Sequence, residues 1–194
     1  MNIPLAERIR PKSLKQFYGQ THLLGEKGIL TNIIKNNSYP SMIFWGPPGT
    51  GKTTLANLIA NQSKRPIFKI SAINSGVKEI RDIINKTNTS NVLFTNKTPI
   101  LFIDEIHRFS KSQQDSLLGA VEKGIITLIG ATTENPSFEV ISALLSRCQV
   151  YILNPLNENE LQSIINSAIT NDSFLKNKKI KIEEKDVLIE LSGG

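Results

Sequence analysis

The chain has 194 residues, a formal net charge of +6 and one cysteine, Cys148. That length holds one α/β domain and the beginning of a second unit; a single cysteine excludes an internal disulfide and a cysteine-rich zinc module, and no apolar run approaches the length of a membrane span. The opening residues, Met1 to Arg8, lack a signal-peptide core, so the expected location is cytoplasmic, and the positive charge, largely scattered lysine, suits an anionic partner without specifying one.

Residues 5–20 are basic and broken by Pro11 and Gly19, which predicts an extended arm turning into the domain. Over 25–35, Ile29, Leu30, Ile33 and Ile34 share one helical face. A polar loop from Asn36 to Pro40 leads into an apolar strand, Met42 to Trp45. Next comes Gly46-Pro47-Pro48-Gly49-Thr50-Gly51-Lys52-Thr53-Thr54, which fits G-x-x-x-x-G-K-[ST] at every fixed position. Leu55, Leu58 and Ile59 then repeat at helical spacing, so the motif has the strand, loop and helix it requires. Glycines let successive N–H groups converge on phosphate oxygens, and the helix N-terminus adds its positive dipole end. Lys52 would reach the β- and γ-phosphates of ATP and the Thr53 hydroxyl would hold Mg2+.

A strand is expected over 67–70 and a helix over 77–86, with Val77, Ile80, Ile83 and Ile84 inward. After an Asn- and Thr-rich loop, the apolar run of 100–103 is closed by Asp104 and Glu105. Ser110 and Gln113 form a capping box for a helix over 110–122. A strand over 125–131, a short helix over 137–144 and a strand over 148–153 follow. Apolar strands alternating with helices predict an α/β fold, a parallel sheet covered on both faces. Beyond Pro155 only helices are expected: one capped by Asn157 and Glu160, and one over 183–191. The chain therefore divides into an arm with a first helix (1–40), a nucleotide-binding core (41–155) and an incomplete helical lid (156–194).

In a parallel sheet the carboxyl ends of strands face the ligand crevice. Asp104 is thus placed to hold Mg2+, directly or through water, and Glu105 to polarise the attacking water as general base. His107 reads as a packed or partly exposed histidine rather than a catalytic one. Thr133 or Asn135, after the strand that ends at Gly130-Ala131, could sense the γ-phosphate. Arg147, at a helix end, reads by itself as a capping residue.

Four segments together resemble an AAA+ ATPase of the clamp-loader branch: Gly46 to Thr54, Leu101 to Glu105, Gly130 to Thr133, and Ser146-Arg147-Cys148. Within that branch, Pro4 to Pro11, Ser75 to Arg81, Asp104 to Phe109 with Lys111 to Gln114, and Gly130 to Phe138 resemble the family that includes the Werner-helicase-interacting proteins. The resemblance spans essentially the whole chain and implies a P-loop NTPase fold. It further implies that Thr133 or Asn135 is sensor 1 and that Arg147 is an arginine finger acting on a neighbouring subunit. Ile9, Arg10, Pro11, Tyr18 and Gly19 would line the adenine pocket, and Arg81, with Lys78, would touch DNA phosphates.

Such proteins are DNA-dependent ATPases of replication-fork maintenance, recombination and repair, nucleoid-associated in bacteria. The resemblance implies a homo-oligomer bound to single-stranded, forked or gapped DNA, and a single-strand-binding protein as a further partner. The family pattern continues past residue 194 with a sensor 2 arginine and assembly regions, so this chain alone is expected to hydrolyse ATP poorly. Three other motors of the superfamily fit less well. A protein unfoldase usually carries an aromatic pore residue, absent from Ala72 to Gly76. A Holliday-junction motor needs a β-hairpin that Lys123-Gly124 leaves no room for, and a clamp-loader subunit would carry a cysteine zinc module.

Overall fold

A computed structural model describes residues 3–71, 78–80, 82–84, 97–178 and 180–191. Five strands, β1 (Met42–Trp45), β2 (Ile67–Ser71), β3 (Ile100–Asp104), β4 (Thr127–Thr132) and β5 (Gln149–Ile152), form one parallel sheet in the order β2-β3-β4-β1-β5. The expected parallel sheet is therefore present. Its central strands carry almost no polar side chain because both faces are covered. Alternate residues of one strand enter opposite cores. Met42, Phe44, Phe102 and Ile129 pack with α4 (Lys52–Ser63), whereas Ile43, Leu101, Ile103 and Leu128 pack with Leu117 of α5 (Lys111–Glu122).

Register decides where the sheet can act. Trp45 pairs with Thr132 and Ile103 with Gly130, so β1, β3 and β4 end within about two residues of one another along one edge. The loop after β1, the acids after β3 and the threonines after β4 all leave from that edge. At the opposite end, β5 starts two residues after Arg147.

The predicted capping box of α5 is formed: Ser110 Oγ accepts from the Gln113 N–H and the Gln113 side chain accepts from the Ser110 N–H. The same box, Asn157 with Glu160, starts α8 (Glu158–Asn171), which is followed by α9 (Lys185–Leu191). Among the described residues no strand follows β5. Helical residues 78–80 and 82–84 lie where the 77–86 helix was expected; Arg81 and the loop Ala72 to Gly76 fall outside the described residues.

Three expectations need correction. The arm is not extended: it holds a helical turn, α1 (Leu5–Arg8), and a 3₁₀ turn at Leu14–Gln16. The expected 25–35 helix is present but starts only at Ile29, as α3 (Ile29–Lys35), and a separate turn, α2 (Thr21–Leu24), precedes it. Between them the chain doubles back so closely that a Cβ on Gly28 would lie 2.2 Å from the Leu23 carbonyl oxygen. The expected 137–144 helix is two turns, α6 (Pro136–Glu139) and α7 (Ser142–Leu145), separated by extended backbone at Val140 and Ile141. Here the buried amide of Gln114 accepts from the Ile141 N–H at 2.8 Å and donates to the Glu139 carbonyl at 3.0 Å. It thereby takes backbone groups that a continuous helix would use.

Candidate active site

The loop from Gly46 to Gly51 joins β1 to α4. Gly49 and Gly51 have φ of +82° and +91°, values that side chains rarely tolerate. Gly51 is doubly constrained, because a Cβ there would lie 2.7 Å from the Phe17 ring. The Lys52 side chain turns back into the loop: its ammonium donates to the Gly46 carbonyl at 2.7 Å and to the Pro47 carbonyl at 2.8 Å. Lys52 is only 7% exposed. Burial lowers its pKa, while the Glu105 and Asp104 carboxylates pull it back up. The loop thus holds a cation between backbone amides and two acids. Thr54 and Thr50 stand beside it on the pocket wall, Thr50 Oγ1 donating to the Pro47 carbonyl.

Thr53 Oγ1 donates to Asp104 Oδ2 at 3.2 Å. A hydroxyl and a carboxylate side by side are hard oxygen donors and fit Mg2+, which takes few protein ligands and fills its shell with phosphate oxygens and water. Among the described residues no group of three His, Cys, Asp or Glu side chains could form a protein-only metal site. Cys148 offers no nucleophile, since burial pushes its thiol up to about 12.

Glu105 leaves the strand abruptly, with φ 54° and ψ 49°. Left-handed backbone at a non-glycine residue costs about 1–3 kcal/mol and recurs at functional sites. Its carboxylate meets Thr133 Oγ1 at 3.4 Å and His107 Nδ1 at 3.3 Å, both on Oε2. His107 Nδ1 also lies 3.0 Å from Thr132 Oγ1. The single Thr132 hydroxyl proton goes to the Glu134 carbonyl, so the histidine nitrogen is the donor to Thr132, with the Glu105 carboxylate at ion-pair distance. His107 was expected to be packed or partly exposed, and its side chain is 13% exposed; it also lies against the Glu105 carboxylate. Its helical-turn position after Asp104-Glu105 was the available signal. The structure brings Thr133 to Glu105. The Asn135 carboxamide instead caps α6, accepting from the Ser137 N–H at 3.0 Å.

A cavity of about 610 Å³ opens beside the loop. Ile9, Arg10, Pro11 and Tyr18 line it, together with Gly49, Thr50, Gly51 and Thr54. Gly19 is not on the wall. With φ +76°, it packs where a Cβ would meet Leu156 at 2.6 Å. Sequence reading missed Phe17 from the arm and Leu156, Ile164 and Asp172 from the far wall, because only the fold brings the two ends of the chain together. Arg8 Nε and Nη2 donate to Asp172 Oδ2 and Oδ1 at 2.7 and 3.0 Å. That guanidinium, helped by the Leu175 and Phe174 N–H groups, holds the Asp172 carboxyl at about 2 against the usual 3.8. Its stabilising contribution is complete above pH 3.8 and is lost as pH falls through about 2.

Arg147 lies at the other end of the sheet. Its guanidinium donates to the Ala143 carbonyl at 2.6 Å and pairs with Glu122 at 2.6 Å. Ile152, level with Trp45 at the phosphate-loop edge, is the far end of β5, roughly 10 Å along the strand from Gln149, and Arg147 lies two residues before Gln149. Arg147 therefore lies at the end of the sheet away from its own chain's loop.

The profile of the ATPase family associated with various cellular activities (AAA) matches residues 42–156. Replication-associated recombination protein A of Haemophilus influenzae is 49% identical over 185 residues, covering 95% of this chain and 41% of that protein. ATPase WRNIP1 of Dictyostelium discoideum is 45% identical over 193 residues, covering 98% and 22%. The chain thus spans about two fifths, or less, of the length of these curated relatives. The Thermotoga maritima Holliday junction branch migration motor RuvB superposes with a TM-score of 0.70 at 30% identity, covering 91% of this chain and 57% of that one.

Proposed function

The chain belongs to the AAA family of ATPases, and from that membership we propose that it binds ATP with Mg2+ between the phosphate loop and the β3 acids and hydrolyses it, as the nucleotide-binding part of a DNA-dependent motor in replication-associated recombination and repair. One observation carries the chemistry: Thr53 meets Asp104, and Glu105 meets Thr133, at the edge where the phosphate loop also leaves the sheet.

Each side chain has a task. Lys52 exchanges its loop carbonyls for β- and γ-phosphate oxygens, a stronger, charge-assisted pairing. Thr53 and Asp104 hold the cation, which when bound neutralises charge on those phosphates. Glu105 accepts a proton from water as the water oxygen bonds to the γ-phosphorus and the bond to ADP breaks. His107 Nδ1, held by Thr132, stands 3.3 Å from one carboxylate oxygen and leaves the other for the water. Thr133, beside the same carboxylate, is the sensor of the γ-phosphate, with Asn135 holding the following turn. Arg147 serves the nucleotide of a neighbouring subunit, a role supported by its place at the end of β5 away from its own loop.

The DNA assignment rests on the relatives named for replication-associated recombination and on the +6 charge. Lys78 is exposed on a helical segment, and Arg81 lies outside the described residues; both are assigned to phosphate contacts inside a homo-oligomer. A single-strand-binding protein as partner, and a nucleoid location, rest on the resemblance alone; no helix among the described residues is long and apolar enough to cross a membrane. A branch-migration motor is the weaker reading. The Ile125 N–H bonds back to Ala120 and Gly124 turns with φ +65°, closing α5 directly onto β4 without an inserted hairpin.

The test is nucleotide binding and turnover with and without single-stranded, duplex, gapped and forked DNA. Lys52→Ala should abolish productive binding, and Glu105→Gln should bind ATP without cleaving it. Normal turnover by Glu105→Gln would remove Glu105 as the base.

A further inference from the structure

The cavity has two walls from opposite ends of the chain: the arm supplies Ile9, Pro11 and Phe17, and the segment after Pro155 supplies Leu156, Ile164 of α8 and Asp172 just beyond it. Two ties join them. At the hinge, the buried Gln20 amide donates to the Asn154 carbonyl at 2.7 Å and accepts from its N–H at 2.9 Å. At the far rim, Arg8 and Asp172, 164 residues apart, form the bidentate pair described above. Among the described residues it is the ion pair that joins the arm to the segment after Pro155.

Asp172 is prepared for that partner. Its Oδ1 accepts the Phe174 and Leu175 N–H groups at 3.1 and 3.0 Å, so the turn after α8 fixes the carboxylate before the arginine arrives. Its side chain is 2% exposed, whereas Arg8 is 27% exposed and reaches in from α1. Two parallel N–H···O bonds demand one relative placement of the two walls, which a point charge would not.

We propose that the Arg8–Asp172 pair is a clasp that holds the two walls together around a bound nucleotide and so governs how fast it leaves. Both are positioning residues: they act by keeping the walls at their mutual distance. The inference rests on the reading of this cavity as the nucleotide site.

The experiment is displacement of N-methylanthraniloyl-ADP from this chain by excess unlabelled ADP, followed by stopped-flow fluorescence. Asp172→Asn keeps an oxygen for the Phe174 and Leu175 N–H groups while removing the charge, and Arg8→Met keeps the aliphatic stem. Each should raise the dissociation rate about three- to tenfold, and the double variant should be no faster than either alone. Arg8→Lys should fall between wild type and Arg8→Met. Wild-type dissociation rates in both single variants, or fully additive effects in the double, would overturn the clasp while leaving nucleotide binding intact. Lower melting temperature without faster dissociation would also overturn it, as the mark of a merely structural pair. A wild-type chain that takes up no labelled nucleotide would overturn the site reading and the clasp with it.

Discussion

Glu105 is the residue on which the proposed chemistry turns, and its surroundings specify more than its identity does. A carboxylate at the end of an apolar strand can rotate freely; here the Thr133 hydroxyl bonds one oxygen and His107 Nδ1 lies 3.3 Å from the same oxygen. Replacing His107 with Ala should leave nucleotide affinity unchanged and slow single-turnover hydrolysis in the assembled protein about tenfold, a part of the roughly 10²–10⁴ that a positioned base supplies. The conservative variants separate the two ring nitrogens. Asn places an N–H where Nδ1 was and should restore most of the rate, whereas Gln extends its amide toward the Nε2 position and should not. Equal rates for His107→Ala and wild type would return His107 to a packing role.

At the scale of elements, the broken helix between Pro136 and Leu145 shows how one side chain redirects backbone. Gln114, projecting from α5 and 1% exposed, also donates to the Phe109 carbonyl at 3.1 Å. Three backbone groups from two segments therefore depend on one amide. Gln114→Leu fills similar volume and leaves those groups unpaired, which should cost about 2–4 kcal/mol of stability. Urea denaturation would measure it, and a loss below about 1 kcal/mol would mean that water or a rearranged loop replaces the amide. Because α7 carries the chain toward Arg147, the same substitution should also weaken cross-subunit hydrolysis.

At the scale of the whole molecule, the distance between Arg147 and its own phosphate loop leaves the proposed finger to act only on a neighbouring subunit. Its partner Glu122 is exposed, and such surface pairs are worth about 0–1 kcal/mol, so the guanidinium can be released cheaply to a neighbour. This chain alone should be a poor ATPase, mainly monomeric in sedimentation. In the assembled protein, Arg147→Ala should lose about 10³–10⁵ of the rate, as fingers supplied in trans do elsewhere. Mixing Arg147→Ala with Lys52→Ala subunits should restore part of it, because one supplies the loop and the other the arginine. No recovery on mixing, with both proteins assembled, would place the arginine's action within its own chain.

The sequence by itself determined the parallel sheet, the phosphate loop, the acid pair and both capping boxes. Each depends on residues close together in the chain: an apolar run, two glycines before Lys52, a Ser or Asn three residues before Gln or Glu. Even the positive φ of Gly49 and Gly51 is legible, since only glycine takes it without strain. Tertiary structure alone decided what depends on distant partners. It delayed the first expected helix to Ile29, through the close approach of Gly28 to Leu23, and broke the one over 137–144 through the Gln114 amide. It moved Gly19 off the pocket wall and brought Phe17 and Asp172 onto it. It also turned His107 toward Glu105 and set Arg147 at the far end of the sheet. Local spacing cannot encode such contacts: an arginine at position 8 finds its carboxylate at 172 only when packing of the core has fixed where both ends of the chain lie.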